Sequence, residues 1–290
     1  MDKTEIICPV NCKYCMASKI DKRKEYWEAG EKIGMNKSCV FVNRFPSDPP
    51  LKDMSNIPWE LFDGEYIGFQ GITDCFWEKY IDDLRWLAEY IPDSKIKKLV
   101  LVSKIPANDE QIEILKKLGD RVVVIYSVTG TDALENTTTA SRVEAIRKLK
   151  ENNIDVLPIV HPYIHGYSSL DHFATLEEIG IKYVSWKGFR YNPDNMSALA
   201  EYIPQEILDV YSGHGENEIL AGDEYIRAEA EKHGLTYVDL KKYIQRPNSV
   251  SGITREESER EVRELAKHVV FSTSDKSIED VIEYAVNRRL

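Results

Sequence analysis

Cys8, Cys12 and Cys15 are the residues whose type and spacing most plainly allow chemistry. They stand in the run Cys8-Pro9-Val10-Asn11-Cys12-Lys13-Tyr14-Cys15, a C-x3-C-x2-C spacing with an aromatic just before the third cysteine. Thiolates are the ligands of iron–sulphur clusters, and a [4Fe–4S] cluster takes four of them. Three cysteines within eight residues can wrap one cluster and leave its fourth iron open to a ligand that is not protein. An open iron is what turns a redox-active cluster into a catalytic one. Zinc is the structural rival, but structural zinc is four-coordinate and is usually built from two paired half-sites. The remaining cysteines, Cys39 and Cys75, are single, so they supply neither a zinc half-site nor a second four-thiolate cluster. A disulfide framework is the weakest reading for an acidic chain of this size with no secretory signal.

Composition narrows the partners. The chain has 290 residues with 42% hydrophobic and 30% charged content, the ordinary range for a globular protein. No apolar run approaches the ~20 residues that span a bilayer. Met1-Asp2-Lys3-Thr4-Glu5 has no apolar core of a signal peptide, so a cytoplasmic location is expected. The net charge of −11 counts against tight nonspecific binding of duplex nucleic acid, although a local basic groove can sit within an acidic total.

The elements that must position the cysteines follow from periodicity. Thr4–Ile7 is a short β-prone stretch, and Asp21–Ala29 reads as helix. Cys39–Val42 is a strand candidate before a loop punctuated by Pro46, Pro49, Pro50 and Pro58. Strands are then expected at Tyr66–Phe69, Lys98–Val102, Arg121–Val128, Ile154–Val160 and Ile181–Trp186. Helices are expected at Phe76–Tyr90, Asp109–Leu118 with Asn108 as N-cap, Ser141–Asn152, Leu170–Ile179 and Ser197–Val210, the last with Pro204 at a helix start or between two helices. Strand–helix alternation with near-continuous apolar strands means a parallel sheet covered by helices. Counted from Thr4, six units fit a partial (β/α)6 TIM-type barrel, an α/β fold, over residues 1–211. Residues 212–290 form a C-terminal α/β extension expected to pack on the barrel, with helices at Glu224–His233, Arg255–Ala266 and Ser277–Arg288 and short strands at Thr236–Val238 and Val269–Ser272. Barrel active sites gather at the C-terminal ends of the strands, so the cysteine loop is expected at that mouth.

The cysteine spacing with Tyr14 resembles the radical S-adenosylmethionine (SAM) enzymes. The resemblance implies the same barrel, a [4Fe–4S] cluster on Cys8, Cys12 and Cys15, and SAM chelated to the open iron. It also implies reductive cleavage of SAM to methionine and a 5′-deoxyadenosyl radical that takes hydrogen from a substrate, with flavodoxin or ferredoxin as reductant. Gln70-Gly71-Ile72-Thr73-Asp74 lies where such enzymes hold the SAM amino group. Gly71-x-Thr73-Asp74, followed by an aromatic and Glu78, is similar to the spore photoproduct lyase-like branch, from which Cys75 departs because proline is common there. Thr73 and Asp74 are equally well explained as a helix N-cap. Lys104 matches a lysine of the same branch and could pair with a carboxylate near the cluster. Ser127 matches a hydroxyl that bonds the SAM ribose, and Arg142 an arginine that pairs with the SAM carboxylate, for which a guanidinium fork is suited. The bland readings are a solvated strand end for Lys104 and an exposed first-turn residue for Arg142.

His161 and His165 depart from the branch's apolar-Pro-Gly run. Either could contact an anionic substrate or move a proton, and His161 is the catalytic candidate. Trp186-Lys187-Gly188-Phe189-Arg190-Tyr191 could stack on a flat substrate or be ordinary core with solvated charge. The Cys75 thiol is a candidate hydrogen-atom donor to a product radical, or a buried small hydrophobe. By resemblance the substrate is first a nucleobase or nucleic-acid derivative, in a lyase or rearrangement reaction. A peptide or small metabolite is the second choice, and a noncatalytic iron–sulphur carrier or a zinc-stabilised module comes from outside the enzyme class.

Overall fold

The runs richest in β-branched residues become the central strands of one sheet. The protein is described here from a computed structural model, over residues 8–15, 33–35, 39–44, 48–54, 57, 59–71, 73–190, 198–214, 218–244, 254–267, 270–271, 279, 282–283 and 286–287. In chain order the strands are β1 (Ile33–Met35), β2 (Val40–Val42), β3 (Tyr66–Phe69), β4 (Lys98–Ser103), β5 (Val122–Ser127), β6 (Asp155–Val160), β7 (Tyr183–Trp186), β8 (Phe189–Arg190), β9 (Glu218–Ile219), β10 (Thr236–Tyr237) and β11 (Val270–Phe271). The helices are α1 (Ile81–Asp93), α2 (Asp109–Lys116), α3 (Thr139–Glu151), α4 (His172–Glu178), α5 (Gln205–Ser212), α6 (Asp223–Lys232), α7 (Leu240–Ile244) and α8 (Arg255–Ala266). Among the described residues no helix is long and apolar enough to cross a membrane.

Nine strands form one sheet in the order β10-β7-β6-β5-β4-β3-β2-β1-β11. From β2 to β10 every pairing is parallel, while β1 runs antiparallel to β2. This is the α/β fold of a partial TIM-type barrel. The two short tail strands join opposite edges of the sheet, β10 on β7 and β11 on β1. The segment from 212 onward is therefore woven into the barrel sheet at both of its edges.

Pleating sorts each strand into two faces. Ile67, Leu99, Leu101, Val122, Val124, Val156 and Val184 belong to the large core shared with Leu84, Leu87, Leu115, Ile146, Leu149, Phe173 and Leu176 of the covering helices. The alternate residues Val100, Val123, Ile125, Leu157 and Ile159 form a second cluster on the inner face, closed off by Tyr243 and Ile244 of α7. Burying one such aliphatic side chain contributes about 1.5–3 kcal/mol. Tyr243 also donates its hydroxyl to Asp155 Oδ1 at 2.7 Å, which fixes α7 under the lower end of the barrel.

Several elements differ from the sequence expectation for local reasons. Thr4–Ile7 and Asp21–Ala29 lie outside the described residues, and the place beside β3 is filled by β2. Helix α1 starts at Ile81 rather than Phe76, because Glu78–Tyr80 forms a 3-10 turn and Asp74 bonds across to another loop. Pro204 stands at the N-cap of α5, where its missing N–H costs nothing. Asn108 caps α2 through a reciprocal capping box with Gln111, as expected. The two-residue hairpin β8–β9 and the five-residue α7 are too short to carry a readable period. Of the expected terminal helix, residues 279, 282, 283, 286 and 287 are described, and all are helical.

Candidate active site

The inward face of the strands changes from apolar to polar at the C-terminal mouth. Following the pleat upward, Val102 on β4, Ile125 on β5 and Ile159 on β6 give way to Lys104, Ser127 and His161. Val102 is 43% exposed although it lies on a central strand, so the barrel holds an open chamber with an apolar floor.

The cysteine loop is docked at this mouth. Lys13 N donates to Leu134 O at 2.9 Å, Asn136 N to Val10 O at 2.9 Å, and Asn136 Nδ2 to Pro9 O at 3.1 Å. The loop therefore pairs with the segment that follows β5. Two turns shape it, closed by Asn11 N to Cys8 O at 3.1 Å and Cys15 N to Cys12 O at 3.0 Å. Asn11 has φ 47°, a left-handed conformation that asparagine tolerates better than most residues. Cys12 is buried and Cys8 and Cys15 are half-buried. None is in a disulfide.

Glu135 is the hub beneath this loop, and the sequence reading passed over it. Its side chain is fully buried, and Oε1 accepts from Lys104 Nζ at 2.8 Å, from Thr129 Oγ1 at 3.0 Å and from the Tyr14 hydroxyl. Oε2 accepts from Arg142 Nη1. The ammonium of Lys104 also donates to the Tyr14 hydroxyl and, at 3.3 Å, to His161 O. It lies 4.8 Å from the centre of the Tyr14 ring. One carboxylate thus ties the cysteine loop, the end of β4, the end of β5 and the start of α3. Burial pushes Glu135 up to about 7, with the Arg142 guanidinium opposing. Burial pushes Lys104 down to about 8, with the Cys12 thiolate opposing.

Arg142 is fully enclosed. Beyond Glu135, Nε donates to Thr138 O at 3.2 Å and Nη2 to Thr139 Oγ1 at 3.3 Å, and Asp132 Oδ1 lies 3.6 Å from Nη2. The guanidinium therefore does not open into the chamber, and its influence there passes through Glu135. A signal for Glu135 did exist in the sequence. A buried arginine needs a carboxylate partner, and Asp132 and Glu135 are the acids just upstream of α3. The turn that carries them is held by Gly130 at φ 63°, where a Cβ would meet Ser169 O at 1.9 Å.

On the other side of the mouth, Asp74 is a buried staple between two loops. Its Oδ1 accepts from Ser103 Oγ at 2.6 Å and Phe76 N at 3.0 Å, and its Oδ2 from Lys104 N at 2.7 Å and Ile105 N at 3.1 Å. The N-cap reading thus holds in part: Asp74 caps the turn at Phe76, but the cross-strand bonds dominate. Thr73 Oγ1 donates to Gln70 Oε1 at 3.2 Å and to the Tyr80 hydroxyl at 3.2 Å. Gln70, at φ 64°, donates through Nε2 to Arg44 O at 2.8 Å. Arg44 is itself held by Asp83 Oδ2 at 2.6 Å, a buried pair the sequence reading did not foresee. Burial pushes the Tyr80 phenol up to about 12, with the Thr73 hydroxyl and the Arg44 guanidinium opposing.

Ser127 Oγ donates to His161 O at 2.7 Å. The His161 ring is half exposed, with Nε2 3.9 Å from Glu218 Oε2. His165 instead faces Tyr163, whose hydroxyl lies 2.9 Å from Nδ1, away from His161's strand-end position. Trp186 and Phe189 are buried, and Trp186 Nε1 donates to Asp223 Oδ1 at 2.7 Å. Neither offers a stacking face, and Tyr191, the third aromatic of that run, lies outside the described residues. Cys75 is completely enclosed in the helix-facing core, with Sγ 3.5 Å from Val102 O. Burial pushes this thiol well up, and the Asp74 carboxylate adds to the push. Its surroundings are those of a small core side chain rather than of a thiol facing an open chamber.

The chemistry of the donor set fits a cluster. Cys12 is pushed up to about 12, chiefly by burial, and Glu135, Cys15 and Cys8 add to this while Lys104 opposes it. A thiol so buried becomes a thiolate when a cationic centre binds it. The described residues supply three cysteines on one loop, Cys12 buried and Cys8 and Cys15 half-buried. Among the described residues, no group of three or more His, Cys, Asp or Glu side chains stands at metal-ligand spacing.

No protein-family model matches the sequence, and none of the curated proteins does. Among solved structures, a spore photoproduct lyase mutant with bound AdoMet and dinucleoside spore photoproduct has the same fold, with TM-score 0.50 and 14% identity over 80% of this chain and 73% of that one. Streptococcus suis SuiB bound to S-adenosylmethionine aligns with TM-score 0.44 and 13% identity over 71% of this chain. The chain spans less than half of SuiB, 46% of its length. At these identities the likeness is one of fold.

Proposed function

We propose that the chain is a radical SAM enzyme. The observation that carries this reading is the docking of the three-cysteine loop at the mouth of the parallel barrel, with Tyr14 tied through Glu135 and Lys104 to the strand ends. Cys8, Cys12 and Cys15 would hold a [4Fe–4S] cluster. When bound, that cluster and SAM together supply reductive cleavage to a 5′-deoxyadenosyl radical that takes hydrogen from the substrate. The protein's part is to hold and orient. Lys104, at its strand end beside the loop, can exchange Glu135 for a ligand carboxylate. Ser127 keeps the His161 carbonyl turned toward the mouth. Glu135 fixes Tyr14 and so the orientation of the loop, and the buried Arg142 opposes the burial that favours the protonated form of Glu135. The apolar inner cluster closes the barrel beneath the chamber.

The spore photoproduct lyase neighbour holds AdoMet and a dinucleoside, which supports SAM and a nucleobase-type substrate here, in a lyase or rearrangement reaction. A flavodoxin or ferredoxin in the cytoplasm would deliver the electron. Anaerobic reconstitution tests the reading. The expected product is a brown protein with about four irons that forms 5′-deoxyadenosine from SAM and dithionite. A colourless zinc protein that leaves SAM intact would refute it.

A further inference from the structure

We propose that the mouth of the barrel carries a phosphate subsite, formed by Lys187, Arg190 and His161, for a small phosphorylated substrate of the reaction proposed above. The inward ring of strand-end residues does not stop at His161. Ile159 pairs with Ser185 on β7, and the ladder continues as Lys187 N donates to Val160 O at 3.0 Å and Tyr163 N to Lys187 O at 2.8 Å. Lys187 therefore stands beside His161 on the inner face, one pleat above Ser185. Its side chain is half-buried, and its ammonium makes no hydrogen bond or ion pair among the described residues. Arg190, exposed on the short hairpin next to it, likewise makes no side-chain hydrogen bond or ion pair among the described residues.

The contrast with the other cations of the mouth is sharp. Lys104 and Arg142 are taken by Glu135, and Arg44 by Asp83. A half-buried, unpaired ammonium is costly unless something anionic arrives. The hairpin is not free to swing these cations away. A Cβ at Gly188 would meet Ile219 O at 2.2 Å, and Phe189 is buried in the satellite cluster that also packs Tyr14. His161 completes the site with a half-exposed ring. Glu218 lies 3.9 Å from that ring and opposite Arg190 in the hairpin, so one carboxylate stands at the edge of the site.

Two uncommitted full charges that both act on the His161 ring match a dianion better than a single carboxylate. The chain's net charge of −11 argues for one local subsite rather than a track along a polyanion. The exposed Val102 then places an apolar floor below a phosphate anchored at the rim.

The test uses the full chain and inorganic phosphate, with binding read by phosphorus NMR line broadening and acetate as the competing anion. Lys187→Gln and Arg190→Gln should each weaken phosphate binding about tenfold or more, and Lys187→Arg should retain it. Acetate should fail to displace phosphate at equal concentration. No binding to the native chain, binding indifferent to both glutamine variants, or equal competition by acetate would each overturn the subsite. Formation of 5′-deoxyadenosine by the native, cluster-loaded chain is measured in parallel. If it fails while phosphate binding depends on Lys187 and Arg190, the radical SAM reading falls and the subsite stands; the reverse pattern sinks the subsite alone.

Discussion

Two carboxylates lie buried at the mouth of the barrel, and they are held in opposite ways. Asp74 accepts from one hydroxyl and three backbone N–H groups, all neutral and all fixed by the turns at the ends of β3 and β4. Glu135 accepts from an ammonium, a guanidinium, a phenol and a hydroxyl, all of them side chains from four separate segments. Backbone partners cannot leave, so Asp74 is a staple. Side-chain partners can exchange, so Glu135 couples the cysteine loop to the strand ends and can release Lys104 to something else. At a strand end, the nature of a buried carboxylate's donors separates a structural role from a positioning one better than burial does.

Neutralising each acid without changing its size should break the symmetry between them. Glu135→Gln leaves the fully buried Arg142 without its main counter-charge and should cost about 3–5 kcal/mol. Asp74→Asn keeps one acceptor oxygen and strands some of the N–H groups, for about 1–3 kcal/mol. Urea denaturation of the two variants reads the difference, and equal losses would void the distinction drawn here.

The same contrast has a pH signature. A carboxyl raised from 4.5 to about 7 in the folded state binds a proton there that the unfolded chain has released. Glu135 therefore favours the folded state below about pH 4.5 to 7 and withdraws that stability as pH rises through the window. Lys104, lowered from 10.5 to about 8, acts in the opposite sense and adds stability as pH rises from about 8 to 10.5. Melting temperature followed from pH 4.5 to 7 should fall less steeply in Glu135→Gln than in the native chain. Identical slopes would mean that Glu135 is ionised throughout.

Lys104→Met sharpens the comparison from the side of function. Glu135 keeps Arg142, so the change in stability should be smaller than in Glu135→Gln, about 1–3 kcal/mol for the lost hydrogen bonds of a charged group. Formation of 5′-deoxyadenosine should nevertheless drop by roughly tenfold to a hundredfold, the worth of a charge-assisted hydrogen bond. A variant that cleaves SAM normally would remove Lys104 from the ligand site and leave it a mere partner of Glu135.

Much of this was legible in the sequence because it is carried by short-range pattern. The β-branched runs at β4, β5 and β6 and the period of α1 to α4 gave the barrel. The polar residues that end the inward faces, Lys104, Ser127 and His161, followed from the same pattern. What stayed hidden depends on contacts made far along the chain. Glu135 lies in a loop with no period, and its partner Tyr14 is 121 residues away. Strand β2 has three residues, and its place beside β3 is set by pairing rather than by composition. The aromatics Trp186 and Phe189 suggested a stacking surface, but the pleat turns Trp186 outward into the helix-facing core and Phe189 into the packing beneath α5.

Cys75 gives the smallest effect and the most direct check on the staple. It follows Asp74 immediately, and the four bonds that hold that carboxylate also fix the thiol, fully enclosed, against the Val102 carbonyl. A thiol in that position is a small core group, so Cys75→Ala should cost only about 1 kcal/mol, the scale of losing a small buried apolar group and a weak sulphur contact. SAM cleavage and the product distribution should be unchanged. A diverted product would show that the β3 loop opens during turnover and exposes the sulphur to the chamber. Asp74 would then be a partner that lets go, and the two carboxylates would differ in degree rather than in kind.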